Sequence, residues 1–143
     1  MYVSRSPESA VAERIQAFRG QTLTDDDLVR RDGSRYALVA LDDGLLEDVV
    51  DLDDPAELVQ RELRPSGVAT QVRETTQRIA VSMHGEGVVG FAWWSVLESS
   101  WSNLTLFAER ASARLRVVAT PEPLSVGHPV LRAAADVIGV NLP

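Results

Sequence analysis

The chain has 143 residues, long enough to bury a core, and one domain over residues 1–143 is the expectation. Apolar residues at 45% and charged residues at 24% exclude global disorder, and the absence of cysteine excludes disulfides, thiolate metal ligands and a cysteine nucleophile. A net charge of −7 argues against general nucleic-acid binding, which needs a basic stripe to displace phosphate counterions.

The first residues, Met1 to Pro7, have no apolar run of the kind a secretory signal carries. Ser6 followed by Pro7 predicts a helix start, a capping hydroxyl before a first-position proline. Val11, Ile15 and Phe18 continue it as one apolar stripe, with Gly20 as a stop. Thr24 is placed to cap a short second helix, with Asp25, Asp26 and Asp27 in its first turn, where the helix dipole favours anions. Asp32-Gly33 reads as a turn. Arg35 to Leu41 reads as a strand and Asp42-Asp43-Gly44 as another turn. Leu45 to Leu52 either pairs back as a hairpin strand or runs as a helix, which its apolar spacing fits slightly better. Asp54-Pro55-Ala56-Glu57 is the best helix start in the chain, and Pro65 with Gly67 closes that helix.

The second half changes character. Gln77 to Met83 is rich in strand formers and reads as a strand, broken by His84-Gly85-Glu86-Gly87. Val88 to Leu97 is apolar and aromatic, and too short to span a bilayer, which needs roughly 20 residues. Residues 103–111 fit a strand or a helical stripe equally. Leu115 to Thr120 is strand-like, and Pro129 opens a last helix that Gly139 ends. The expected fold class is therefore α+β: a mostly antiparallel sheet with helices at the N-terminus, middle and C-terminus.

Charge is concentrated. Residues 25–57 hold twelve of the twenty-one acids and only three arginines, a local charge of −9, so the rest of the chain sums to +2. Most of these acids have expected local roles in caps and turns. Glu47, Asp48, Asp51 and Asp53 do not, and they form the candidate partner-binding face. Their oxygens would suit Ca²⁺ or Mg²⁺, but the spacing is not that of an EF-hand loop, so no metal site is expected.

Gly85-Glu86-Gly87-Val88-Val89-Gly90 matches the dinucleotide fingerprint G-x-G-x-x-G by letter. The segment that follows is a poor helix, and too little chain remains for further βα units, so a glycine-rich hairpin turn is the expected reading. His84 and His128 are the only histidines. His84 with Glu86 is the nearest acid–base pair, and no nucleophile motif accompanies either histidine, so no catalytic residue is assigned. His128 sits at the expected cap of the last helix. Trp93, Trp94 and Trp101 cluster; on a strand, Trp93 and Trp94 point to opposite faces, one to the core and one outward.

Two functional readings follow. The first is a non-enzymatic interaction module whose acidic face attracts a protein partner of basic character, with a second copy of the chain as a further partner. The second is a small-molecule or nucleotide-binding domain, with a cavity near Gly85–Gly90 and with His84, Trp93 and Trp94 as ligand-binding residues. Neither reading calls for a cofactor, a nucleic acid or a membrane, and the cytoplasm is the expected location.

Overall fold

The computed structural model describes residues 1–143. In chain order its elements are β1 (Tyr2–Ser4), α1 (Pro7–Ile15), β2 (Ala37–Leu38), β3 (Leu41–Asp42), β4 (Val49–Asp51), α2 (Pro55–Gln60) and α3 (Pro65–Val68). There follow α4 (Arg73–Gly85), β5 (Gly90–Trp94), β6 (Ser102–Leu106), α5 (Ala108–Ala111), β7 (Arg116–Val117), β8 (Glu122–Pro123) and α6 (Pro129–Ile138). The fold is α+β, as expected. No helix is long and apolar enough to cross a membrane.

The chain divides into two compact units. One comprises Met1–Arg5 and Asp42–Arg116; the other comprises Ser6–Leu41 and Val117–Pro143.

The first unit is built on a four-stranded sheet in the order β1-β6-β5-β4. The β1–β6 and β5–β6 pairings are antiparallel, and β4 runs parallel to β5, with Val49 opposite Gly90 and Asp51 opposite Ala92. Alternation along the strands sorts their residues onto two faces. Phe91 and Val50 join Leu52, Leu58, Val68, Ile79 and Met83 in one apolar cluster. Ala92, Leu104 and Leu106 join Val89 and Ala111 in the other. Helix α4 covers the first face, through Ile79 and Met83.

In the second unit α1 packs against α6. Val11, Ala12 and Ile15 from α1 and Leu131, Ala134, Ala135 and Ile138 from α6 are buried. Its helix ends match their sequence signals. Ser6 accepts from the Ser9 N–H at 3.1 Å, the His128 Nδ1 accepts from the Val130 N–H at 3.3 Å, and Gly139 ends α6 in the left-handed conformation, φ 73°. At Thr24 the backbone N–H and the hydroxyl both donate to Asp27 Oδ2 at 2.8 Å, opening one turn of 3₁₀ helix. These bonds, the backbone one first, hold the Asp27 carboxyl below its ordinary range. Asp32 accepts from the Ser34 hydroxyl and N–H in the turn expected there, and its carboxyl is lowered for that reason.

Five local expectations are corrected. Gln77–Met83 is helix, within α4, because Ile79 and Met83 bury against the sheet and that packing outweighs the β-branched composition. Gly85–Gly90 is not a hairpin turn but the passage from α4 into β5: Gly85 ends the helix, Gly87 takes φ 84°, and Gly90 begins the strand. The same geometry places a helix C-terminus at the glycines, where the dipole disfavours anions, rather than the N-terminus a phosphate loop needs. Leu45–Leu52 contains β4, which pairs in parallel with β5 and is neither helix nor hairpin strand. Pro65 does not close α2 but opens α3, in keeping with the preference of proline for first helical positions. The strand expected over Arg35–Leu41 is reduced to the short pieces β2 and β3, since β2 finds a partner only in the two residues of β8. Residues 103–111 resolve into both alternatives: strand β6 to Leu106, then one turn of helix, α5.

Candidate functional site

The polar and aromatic residues of the α4-covered sheet face do not pack solid against the helix. They leave a cavity of about 340 Å³. Its sheet wall is Tyr2 from β1, Phe91 and Trp93 from β5 and Thr105 from β6. Strand register brings these together: Tyr2 and Phe91 both lie opposite Thr105. The facing wall is Val68 from α3, Thr70, and Thr76, Gln77, Ile79 and Ala80 from α4. No arginine, histidine or carboxylate lines it.

The sheet wall is ordered by its own contacts. The Trp93 indole N–H donates to Thr105 Oγ1 at 3.3 Å. The Tyr2 ring lies 5.9 Å from the Trp93 ring at 60°, a tilted aromatic pair. Beside them Asn103, fully buried, accepts from the Ser4 hydroxyl at 2.6 Å and ties β1 to β6. On the helix wall the Thr76 hydroxyl donates to the Arg73 carbonyl at 3.0 Å, and Thr70 Oγ1 accepts from the Val72 N–H at 3.2 Å.

The model of the RES domain matches residues 1–127. The chain belongs to the RES domain family. No curated protein and no solved structure matches it. The matched stretch contains every residue that lines the cavity.

Of the three ligand-binding residues expected from the sequence of this RES domain, Trp93 lines the cavity and His84 and Trp94 do not. Trp94 packs against the cluster around Leu52 and Met83. His84 lies near the C-terminal end of α4, away from the cavity-lining turn at Thr76–Ala80. Its Nε2 is 2.8 Å from Glu109 Oε1, and its ring meets Phe107 edge-on at 4.9 Å. The Glu109 backbone N–H first, then the His84 ring, hold the Glu109 carboxyl below its ordinary range. Arg110 finishes this corner by donating to the carbonyls of His84 and Val88 at 3.0 and 2.9 Å. His84 therefore pairs with Glu109 from α5, not with Glu86, which pairs with Arg61 at 3.0 Å.

The acidic residues split as their local chemistry suggests. Asp54 caps α2 through the Ala56 N–H at 2.8 Å, Asp43 pairs with Arg5 at 2.9 Å, and Glu57 pairs with Arg61. Glu47, Asp48, Asp51 and Asp53 are exposed around β4, an edge strand, and none of them pairs with an arginine. Asp48 takes φ 60° just before the strand, and Asp51 accepts from the Asp53 N–H at 3.0 Å. Partial burial of the carboxyl, then the Asp51 charge, push the Asp53 carboxyl above its ordinary range.

Sequence reasoning reached Trp93 through its aromatic character but missed Tyr2, Thr76, Gln77, Phe91 and Thr105. Only strand register and the true nature of α4 bring those residues to one place.

Proposed function

We propose that this RES domain binds a small, uncharged, planar molecule between Trp93 and helix α4. The observation that carries the reading is the cavity, with an aromatic wall on the sheet and short polar side chains on the helix. Small-molecule sites are concave, mostly apolar, and typically of about 300–1,000 Å³, with a few polar groups that set orientation. Phe91, Trp93 and Tyr2 supply flat apolar surface; Thr70, Thr76, Gln77 and Thr105 supply the few polar groups. An ionised ligand would lose hydration there with no opposite charge to replace it, so a neutral ligand fits best. The test is fluorescence titration of a variant in which Trp94 and Trp101 are replaced by Phe, leaving Trp93 as sole reporter. A saturable change with neutral aromatic heterocycles is expected; a flat response across such a panel contradicts the reading.

A second reading rests on the acidic edge. Glu47, Asp48, Asp51 and Asp53 carry charge that no arginine neutralises, on the edge strand of the sheet, and such a surface would steer a basic protein partner. Capture of that partner would fall steeply as salt rises. Capture that ignores salt contradicts this reading.

A further inference from the structure

We propose that Thr105 sets the polarity of the ligand, so that the cavity prefers a neutral planar molecule presenting a hydrogen-bond acceptor, a ring nitrogen or a carbonyl oxygen, to the sheet wall. This rests on the cavity being a ligand site.

An indole N–H can only donate, and a threonine hydroxyl has one proton and two lone pairs. The Trp93 N–H, at 3.3 Å, occupies a lone pair of Thr105 Oγ1, so the hydroxyl proton is directed away from Trp93. Thr105 lines the cavity, and no protein acceptor takes that proton. On the opposite wall Thr76 spends its proton on the Arg73 carbonyl and keeps lone pairs to offer, while the Thr70 hydroxyl and the Gln77 amide keep protons of their own. The helix wall thus offers donors and acceptors together, while the sheet wall offers a donor at Thr105. The donor is held more firmly, because β6 lies between β1 and β5 in the sheet and its backbone is paired on both sides. Trp93 acts here as a positioning residue, fixing which way the hydroxyl points.

Quinoline and naphthalene test this, being alike in size and shape and differing by one ring-nitrogen acceptor. Their affinities are to be measured by ligand-detected NMR at mildly alkaline pH, where the ring nitrogen is unprotonated. Wild-type protein should bind quinoline about three- to tenfold tighter, the usual worth of one neutral hydrogen bond. Thr105→Val keeps the β-branched shape and the strand, and should abolish the preference; Thr105→Ser should retain it. The Trp93 indole proton resonance should shift upfield in Thr105→Val only, reporting loss of its acceptor. Equal affinities in wild type, or a preference that survives Thr105→Val, overturns the role of Thr105 while leaving the cavity reading intact. Binding of neither compound overturns both.

Discussion

On one face of the four-stranded sheet Ala92, Leu104 and Leu106 meet Val89 and Ala111 in continuous buried packing. On the other, the alternate residues of the same strands, Phe91, Trp93 and Thr105, face α4 across a cavity. The backbone is common to both faces, so side-chain shape decides the outcome. Short aliphatic residues interdigitate and close the first face. Large flat rings stand against Thr76, Gln77 and Ala80 of one helical turn, and beside the buried cluster of Phe91, Ile79 and Met83 they leave a gap in the second face. A cavity of this kind gives up dispersion contacts that the other face keeps, and a bound molecule would restore them.

The comparison is tested hardest by truncating its closed side. Leu106 is 1% exposed, and Leu106→Ala should cost about 2–5 kcal/mol in chemical denaturation, as large-to-small changes in solid cores do. A loss well below that would mean the closed face is not as tightly packed as described. Gly90 comes next. A Cβ there would sit 2.4 Å from the Thr105 carbonyl oxygen and 2.7 Å from Leu106 Cδ2, so Gly90→Ala should cost about 1–3 kcal/mol through strand displacement. On the open face Thr105→Val should cost only about 1 kcal/mol, the loss of one neutral hydrogen bond. Equal losses for Leu106→Ala and Thr105→Val would erase the distinction between the faces.

The smallest effect lies at the sheet edge. The Asp53 carboxyl is raised, so the folded chain holds its proton more tightly than the unfolded chain does. Its contribution to stability is present in acid, below the unfolded value, and is lost as pH rises through the folded value. Asp53→Asn, uncharged throughout, should be slightly more stable than wild type at neutral pH and no more stable in acid. Thermal melts across pH check the sign; a variant less stable than wild type at neutral pH contradicts it.

What was legible in the sequence was local. Ser6-Pro7, Asp54-Pro55 and His128-Pro129 each announce a helix start, because capping chemistry needs only a few neighbouring residues. The α+β class was legible from the order of helix and strand signals along the chain. Helix α4 was not. Its first turn lacks a side-chain cap, and Thr75, Thr76, Ile79 and Val81 resemble strand residues until Ile79 and Met83 are seen to pack on a sheet. The glycines 85, 87 and 90 misled because a glycine-rich break looks the same whether it turns one strand into another or ends a helix ahead of a strand. In the structure Gly87 makes the left-handed turn and Gly90 allows close strand approach. The cavity was least legible, since its walls come from β1, α3, α4, β5 and β6, and β1 reaches the others only by pairing with β6, far along the chain.

The most direct test of the cavity as a binding site is to fill it. Ala80 lines the helix wall and is only partly buried, so Ala80→Leu should occupy the space while the domain stays folded. A screen of small neutral aromatic compounds by ligand-detected NMR, run on wild type and on this variant, should show compounds that bind the first and not the second. Hits that bind both proteins equally would contradict the cavity as the site, as would a wild-type protein that binds none of them.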